Sequence, residues 1–307
     1  MDISIVIPVY FNQGSILTTC EKIDNLFRES FPSLSFEFIL IDDGSSDESY
    51  IEMNTVKDLY HNTQLIKFTR NFGQVSAIYA GYSKAKGKGI LNIAADLQEP
   101  LSLISDMLHS FMNEEAKIIA GQRIGRDESA YRKYTSLFFY NLMKKLSFKD
   151  MPLGGFDIVL IHDEVKKVLL SLEESNPFWQ GQLMWTGYPI KFIPYTRLKR
   201  EIGTSKWSIS KKVKYLLDGV LGFSYAPLRL FSLIGIITFI LGCLYSIIII
   251  VQYFLGESPF KGWAPLMIVI LLFSGLQLVM LGLIGEYVWR NLEQSKKRPT
   301  YIIDEQS

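Results

Sequence analysis

Two long stretches in the C-terminal third of the sequence contain no charged residue, and they limit the fold more than any other feature. Residues 230–255 and residues 263–285 are both almost entirely apolar. A helix needs about 20 consecutive apolar residues to cross the hydrocarbon core of a bilayer. A buried helix of a soluble protein is the alternative interpretation, but two runs of this length favour two transmembrane helices.

Basic residues beside these runs predict how they are oriented. Residues 197–229 and 286–298 are rich in lysine and arginine, whereas the connection 256–262 holds only Lys261, which Glu257 balances. Cytosolic loops carry such an excess of lysine and arginine, and the N-terminus lacks the pattern of a signal peptide. We therefore predict a multi-pass protein of the cytoplasmic (inner) membrane, with both termini and the N-terminal domain in the cytosol.

The residues ahead of the apolar runs alternate between strand-like and helix-like patterns. Strands are predicted at Ile3–Val9, Phe36–Ile41, Gln64–Phe68, Gly89–Ala94 and Lys117–Gly121. Helices are predicted at Ser15–Phe27, Ser49–Tyr60, Gly73–Lys84 and Leu101–Asn113. Because this β-α-β order has short links, we predict an α/β fold with a doubly wound, mostly parallel sheet. Ligands bind such sheets beyond the carboxyl ends of the strands.

Two further helical patterns, Asp127–Leu146 and Ser208–Phe223, combine an apolar stripe with cationic residues. Each can be an amphipathic core helix or a helix that lies in the membrane interface. The predicted organisation is a cytosolic domain (1–207), an interface helix (208–229), the two spans and a cytosolic tail (286–307).

An acidic segment, Asp-Asp-Gly-Ser-Ser-Asp, follows the second predicted strand directly. Carboxylates such as Asp42 and Asp43 can accept hydrogen bonds there from ribose hydroxyls or from a base N–H. Gly44 allows the chain to turn sharply after them. An acidic turn that caps the next helix is the alternative interpretation.

Asp96 follows the fourth predicted strand, and Gln98 lies two positions further on. Mg²⁺ and Mn²⁺ take oxygen ligands, often one or two carboxylates together with substrate phosphates. A metal held here would neutralise the charge that grows on a departing nucleoside diphosphate. A single aspartate before a helix that starts with proline is otherwise commonplace.

Basic residues follow several of the predicted strands and indicate phosphate binding. Arg70 lies after the third strand, Arg123 and Arg126 follow the fifth strand, and Arg200 and Lys206 flank a Gly-Thr-Ser turn. The fork of an arginine side chain fits phosphate oxygens. Taken one at a time, each of these residues is better explained as a solvated surface cation.

In combination, these segments resemble glycosyltransferase family 2, and in particular its polyprenyl-phosphate glycosyltransferases. The resemblance covers nearly the whole chain. The matching segments are IVIPVY at 5–10, DDGSSD at 42–47, RNFGQ at 70–74, ADLQEP at 95–100, REIGTSKW at 200–207 and GEYVWRNLEQSKKRPTYII at 285–303.

The resemblance implies a GT-A fold that binds a UDP-sugar. The implied donor contacts are Pro8, Tyr10, Asp42, Asp43, Arg70, Gln74 and Asp96. Asp96 and Gln98 would hold Mg²⁺ or Mn²⁺. Phosphate groups would be bound by Arg123, Arg126, Arg200 and Lys206. Asp96 and Asp157 are the candidate catalytic residues, with Asp157 as the acceptor-side carboxylate. A polar aspartate at the edge of the core is an equally good interpretation of Asp157.

The implied reaction is a metal-dependent, inverting transfer of a hexose or N-acetylhexosamine from the UDP-sugar to undecaprenyl phosphate or another polyprenyl phosphate. Its product would be a lipid-linked sugar for cell-envelope glycan modification. The implied partners are the donor, the lipid, the membrane and a separate flippase for the product. Small residues in the spans permit a homo-oligomer, and no nucleic-acid partner is expected.

Several positions depart from the pattern of the family and keep two alternatives open. Ala94 stands where an aspartate is common, and Gly155 stands where the family often has the aspartate of Gly-Asp-Phe-Arg. These losses allow a non-catalytic, membrane-anchored scaffold that only binds a nucleotide sugar. A processive polysaccharide synthase is less favoured, because residues 180–185 lack the arginine of Gln-x-x-Arg-Trp and two spans are too few for a channel.

Overall fold

The computed structural model describes residues 1–125, 140–152, 155–172, 174–198, 217–255 and 264–307. These residues form two units. The first comprises Met1–Gly219 together with Pro299–Ser307, and the second comprises Val220–Arg298. Most of the two predicted amphipathic helices lies outside the described residues, although 140–146 and 217–223 are helical.

The first unit contains one eight-stranded sheet. Its strands are β1 (Ile3–Val9), β2 (Phe36–Asp42), β3 (Thr63–Phe68), β4 (Gly89–Asn92), β5 (Ile118–Gly125), β6 (Phe156–His162), β7 (Ile190–Thr196) and β8 (Ile303–Gln306). Their order across the sheet is β7-β5-β6-β4-β1-β2-β3-β8. The four central strands β4, β1, β2 and β3 are parallel, as is the pair β5 and β7. Strands β6 and β8 run antiparallel to their neighbours.

Besides the helical residues 140–146 and 217–223, the described part of the chain contains six helices in the first unit and two in the second. They are α1 (Ile16–Ser30), α2 (Ser49–Leu59), α3 (Gln74–Lys84), α4 (Leu101–Met112), α5 (Asp163–Ser171), α6 (Trp179–Trp185), α7 (Ala226–Phe254) and α8 (Ala264–Ser295). The predicted α/β fold with a mostly parallel sheet is confirmed. Strand β5 continues beyond the predicted end at Gly121, because it pairs with β7 as far as Gly125 opposite Thr196.

The core lies on both faces of the sheet because alternate residues of a strand point to opposite faces. Ile5 of β1 is buried in one cluster with Phe27 of α1. Its neighbour Val6 faces Gly81 of α3, where a Cβ on the glycine would come within 2.3 Å of the valine side chain. Helices therefore cover the central strands from both sides, and α3 packs closely only because it carries a glycine at this point.

The second unit contains α7 and α8, which correspond to the two predicted spans. Among the described residues, one helix is long and apolar enough to cross a membrane, namely Ala226–Gln252 with a mean hydropathy of 2.8. The helix α8 has 32 residues. The first span thus has a matching helix, and the second span remains a prediction.

The predicted cytosolic tail, 286–307, contains regular secondary structure. Helix α8 continues to Ser295, and residues 303–306 add strand β8 to the edge of the sheet beside β3. The sequence Ile-Asp-Glu-Gln of β8 has a single apolar residue and no apolar alternation. Its strand conformation therefore depends on backbone pairing with β3, which a periodicity argument does not detect.

A buried carboxylate lies at the amino ends of the strands. Glu37 is 3% exposed, and its oxygens accept hydrogen bonds from Ser4 Oγ at 2.6 Å, the Lys86 backbone N–H at 2.9 Å and Gln64 Nε2 at 2.9 Å. Ser4 Oγ in turn accepts a bond from the Gly87 N–H at 2.7 Å. A buried carboxylate is tolerated only when it is hydrogen-bonded, so these hydrogen bonds allow Glu37 to be buried in the folded protein.

We expect Glu37→Ala to lower the unfolding temperature of the purified full chain clearly. The substitution removes the acceptor of three donors, and the cost should be roughly 3 kcal/mol. Glu29→Ala, at an exposed position on α1, is the matched control. Equal unfolding temperatures for the two variants would show that the Glu37 network adds no stability.

Candidate active site

The loops that carry most of the predicted site residues meet at the carboxyl ends of the parallel strands. The parallel strands β1 to β4 all end there, so the segments after Val9, Asp42, Phe68 and Asn92 are brought together. Hydrogen bonds fasten these loops to one another. The Asp43 N–H donates to the Val9 carbonyl at 2.9 Å, and the Phe11 N–H donates to Ser45 Oγ at 3.1 Å.

Asp43 links the loop after β2 to the loop after β3. It is 3% exposed, and its carboxylate accepts bonds from the Phe72 N–H at 2.7 Å, the Gly73 N–H at 3.0 Å and Asn71 Nδ2 at 2.8 Å. Hydrogen bonds to a charged acceptor are the strong ones. We conclude that Asp43 holds the Arg-Asn-Phe-Gly segment in place.

Gly44 allows the same two loops to approach closely. A Cβ at this position would lie 2.5 Å from the Arg70 carbonyl carbon and 2.7 Å from the Asn71 nitrogen, and both of these are backbone atoms. Its φ of +72° is also a conformation that favours glycine. Arg70 therefore lies beside the acidic segment, with its guanidinium 4.3 Å from the centre of the Phe72 ring.

Asp42 is fully buried at the end of β2. One carboxylate oxygen accepts a bond from the Ser45 N–H at 3.0 Å, and the other, Oδ2, is buried without a hydrogen-bond partner among the described residues. Burial raises the pKa of the Asp42 carboxyl above its ordinary value, although the Ser45 donor opposes this shift. An acceptor of this kind fits a ligand N–H or hydroxyl.

The remaining predicted donor contacts lie on the same edge. Pro8 is the second-to-last paired residue of β1, and Tyr10 directly follows the strand. The Tyr10 ring packs edge-on against the Phe11 ring, with centroids 4.7 Å apart. Gln74 is exposed at the first position of α3. The structure thus brings Pro8, Tyr10, Asp42, Asp43 and Arg70 to neighbouring loops, and it places Gln74 at the start of the following helix.

The turn after β4 presents oxygen atoms that fit a divalent metal. Leu97, between Asp96 and Gln98, has a φ of +37°, a strained conformation of the kind found at functional sites. The Gln98 amide nitrogen faces the Leu198 carbonyl at 3.5 Å, so the amide oxygen is the atom of this side chain that can bind a cation. One carboxylate and one amide oxygen suit Mg²⁺ or Mn²⁺, whose other ligands would be substrate phosphates and water.

Ala94 leaves Asp96 as the side-chain carboxylate of this turn. Among the described residues, no group of three or more histidine, cysteine, aspartate or glutamate side chains could hold a metal. A site at Asp96 therefore depends on ligands that the substrate supplies.

A second cluster, which we call the arginine–carboxylate cluster, lies at the end of β5, the end of β7 and the start of β6, on the side of the sheet where β1 to β4 end. It comprises Glu99, Arg123, Asp157, Tyr195 and Arg197. The Asp157 carboxylate pairs with the guanidinium of Arg123 and lies 3.9 Å from that of Arg197. Arg197 also lies 3.9 Å from the carboxylate of Glu99.

Three polar atoms of this cluster are buried and have no hydrogen-bond partner among the described residues. They are Glu99 Oε2, Arg123 Nε and Arg197 Nε. Burial raises the pKa of the Glu99 carboxyl, and the guanidinium of Arg197 opposes that shift. Burial likewise raises the pKa of the Tyr195 hydroxyl. Buried donors without partners are rare in folded proteins, so this cluster is suited to receive an anion.

The sequence indicates only part of this cluster. It predicts Arg123 and Asp157 as site residues, whereas Glu99, Tyr195 and Arg197 do not stand out in it. The available signal was weak: Glu99 belongs to the ADLQEP segment, and Arg197 is one of many basic residues ahead of the first span. The predicted residues Arg126, Arg200 and Lys206 lie outside the described residues.

The structure combines an α/β sheet of GT-A type with acidic and basic side chains at the carboxyl ends of its strands, where such sheets bind ligands. The family model for glycosyl transferase family 2 matches residues 4–166, and the model for the GtrB C-terminal hairpin matches residues 226–290. The chain therefore belongs to glycosyltransferase family 2, and it is an enzyme of that family. The family prediction is confirmed.

Curated relatives match almost the full length of the chain. The uncharacterized glycosyltransferase YkcC of Bacillus subtilis is 33% identical over 98% of this chain and 92% of its own length. The bactoprenol glucosyl transferase of Shigella phage SfV is 32% identical over 99% of this chain and 98% of its own length.

Among solved structures, glucosyl-3-phosphoglycerate synthase from Mycobacterium tuberculosis, in complex with Mn²⁺, UDP-glucose and phosphoglyceric acid, is similar over 70% of this chain and 76% of that chain. The TM-score is 0.49 and the identity 12%.

We expect Gly44→Ala to abolish donor binding, because the new methyl group would push the loop after β3 away from Asp43. Gly187→Ala is the matched control, since Gly187 has nearly the same φ, +73°, but nothing within 4 Å of the added Cβ. UDP binding to the two purified proteins is the measurement. Equal affinity would mean that the close approach of the two loops does not shape the site.

Proposed function

We propose that this enzyme transfers a hexose from a UDP-sugar to a polyprenyl phosphate at the cytosolic face of the membrane. The observation that carries the proposal is the pair of guanidiniums in the arginine–carboxylate cluster. Arg123 lies on β5 and Arg197 directly follows the neighbouring strand β7, close to the turn of Asp96, and the Nε of each is buried without a hydrogen-bond partner among the described residues. An acceptor that is itself an anion, such as a lipid phosphate, suits this cluster better than a neutral sugar hydroxyl does.

The names of the relatives support the same acceptor. A bactoprenol glucosyl transferase acts on a polyprenyl lipid, and its similarity to this chain extends through the helical unit. Glucose is therefore the first donor sugar to test, followed by N-acetylglucosamine. A separate flippase for the product and a homo-oligomer remain predictions of the sequence.

In the proposed reaction an oxygen of the lipid phosphate attacks the anomeric carbon, and the bond from that carbon to the UDP oxygen breaks. One direct displacement inverts the configuration. A lipid phosphate is already anionic near neutral pH, so the protein needs to remove little or no proton. Its main tasks are to position two anionic substrates and to stabilise the charge of the leaving group.

The chain's own residues divide these tasks. Asp42 and Asp43 define the nucleotide side, and Arg123 and Arg197 hold the acceptor phosphate. The Asp157 carboxylate pairs with both guanidiniums, so we assign it to positioning those arginines. A divalent ion held by Asp96 and Gln98 would neutralise charge on the departing diphosphate.

The chain segments that make up the first unit favour an even number of membrane spans. That unit contains chain on both sides of the helical unit in sequence, up to Gly219 and again from Pro299. A chain that leaves and rejoins the same soluble domain must cross the bilayer an even number of times. This supports the second predicted span and, with the basic flanks, a cytosolic catalytic domain.

The direct test mixes the purified full chain with labelled UDP-glucose, Mg²⁺ and undecaprenyl phosphate in detergent or lipid nanodiscs. We expect one sugar per lipid and release of UDP. A polymeric product would instead identify a processive synthase. UDP binding without turnover of any UDP-sugar would identify a scaffold.

We expect Asp96→Asn to reduce turnover at least a thousandfold, while the protein stays folded and membrane-bound. The amide cannot supply the charged oxygen ligand that the metal needs. Asp106→Asn, at an exposed position on α4, should keep normal activity. Full activity of Asp96→Asn, or of the wild-type enzyme after complete chelation, would exclude the metal role.

We expect Arg197→Ala to raise the KM for the lipid phosphate by roughly tenfold or more, because a charge-assisted hydrogen bond is lost. The KM for the UDP-sugar should change much less, and Arg197→Lys should restore part of the affinity. Arg28→Ala, an exposed arginine of α1, is the control. An unchanged lipid KM in folded Arg197→Ala would contradict the assignment of the acceptor site.

A further inference from the structure

The last residues of the chain, 299–307, which we call the C-terminal tail, are part of the catalytic unit. Beyond the β8–β3 ladder, the Leu65 N–H donates to the Ser307 carbonyl at 2.8 Å, and the Ser307 N–H donates back to Leu65 at 3.0 Å. The Thr69 N–H donates to the Ile302 carbonyl at 3.1 Å. The tail therefore follows β3 to the point where the loop of Arg70 begins.

An aromatic row leads from the tail into that loop. The Tyr301 ring stacks on the Phe68 ring, with centroids 5.0 Å apart and planes at 14°. Phe68 is 1% exposed at the end of β3, and its ring packs edge-on against Phe72 at 5.8 Å. Tyr301 thus covers a buried ring that supports the loop after β3.

The aromatic row ends at the acidic segment of the candidate site. The Phe72 N–H donates to Asp43 Oδ1 at 2.7 Å, and the guanidinium of Arg70 lies over the Phe72 ring. Two ring contacts and one hydrogen bond therefore connect Tyr301 to Asp43.

A second connection joins the tail to the helix that follows the acidic segment. Glu305 accepts a hydrogen bond from the Tyr50 hydroxyl of α2 at 3.0 Å and forms an ion pair with Lys67 of β3 at 3.3 Å. The Lys67 ammonium also lies 4.7 Å from the centre of the Tyr50 ring. The tail thereby contacts both elements that carry the donor-side loops, β3 and α2.

We propose that the C-terminal tail positions the nucleotide-binding loops, and that Tyr301 is a positioning residue that acts on Asp43 through Phe68 and Phe72. Tyr301 contacts no substrate in this proposal. The proposal rests on the function proposed above, because it concerns affinity for the UDP part of the donor. It assigns a role in donor binding to a segment that follows the membrane hairpin in the sequence.

The test compares Tyr301→Ala, Tyr301→Phe and Ile302→Ala in the purified full chain. Ile302 is the matched control because it is the next residue of the tail and its side chain is 51% exposed. We expect Tyr301→Ala to weaken UDP binding in the presence of Mg²⁺ by about two- to tenfold, the range that one aromatic pair contributes. Tyr301→Phe keeps the stacked ring and should restore the affinity.

Steady-state kinetics distinguish positioning from a general loss of structure. Tyr301→Ala should raise the KM for the UDP-sugar and leave the KM for the lipid phosphate unchanged. Equal UDP affinity for Tyr301→Ala and Ile302→Ala would overturn the proposal. An equal rise of both KM values would also overturn it, because it would indicate general destabilisation.

Hydrogen exchange on the wild-type protein tests the same coupling without any variant. If the tail favours UDP binding, UDP binding must stabilise the tail by the same free energy. Saturating UDP should therefore slow exchange at the amides of Leu65, Thr69 and Ser307, and unchanged exchange would overturn the proposal. Failure of the wild-type protein to bind UDP at all would instead overturn the proposed function, and this proposal with it.

Discussion

The hydrogen bonds between Asp43 and the loop after β3 determine the shape of the donor side of the site. A carboxylate buried this deeply is stable only if its oxygens have donors, and the backbone amides of Phe72 and Gly73 supply two of them. The absence of a side chain at Gly44 lets the two loops approach closely enough for these bonds to form. A short acidic segment thereby fixes the position of Arg70 and of the start of α3, because both belong to the chain that Asp43 holds.

The buried charged side chains of the first unit are of two kinds. The difference distinguishes residues that stabilise the fold from residues that are suited to bind a ligand. Glu37, at the amino ends of the strands, has donors on both of its carboxylate oxygens, and such a network stabilises the fold. At the carboxyl ends of the strands, Arg123 and Arg197 keep buried Nε donors that have no partner among the described residues. Leaving a buried donor without an acceptor costs free energy, so a ligand that supplies acceptor oxygens recovers it. The arginine–carboxylate cluster is for this reason the better place for an anionic substrate.

The sequence predicts those parts of the fold that local patterns encode. The central strands β1 to β4 are continuous apolar runs, so their positions and parallel pairing follow from hydrophobicity and short connections. Strand β8 carries mainly polar residues and is a strand only because the edge of β3 is available. The site divides in the same way: Asp42, Asp43 and Asp96 directly follow predicted strands, whereas Arg197 and Glu99 become recognisable only when β7 is known to lie beside β5. The position of β7 beside β5 depends on pairing between residues that are far apart in the sequence, and the local pattern of apolar residues does not predict such pairing.

The pairing of β8 with β3 also constrains how the protein assembles. Tyr50 and Glu305, which hydrogen-bond to each other, are 255 residues apart in the chain, and the helical unit lies between them. Until the last residues are synthesised, β3 is an open sheet edge, which is a template for pairing with other chains. Contacts of such large sequence separation form late because loop closure precedes them. The catalytic unit therefore reaches its final structure only after α7 and α8 have been synthesised, and a chain that stops before the C-terminal tail would expose the edge of β3 and leave Phe68 without the ring that covers it.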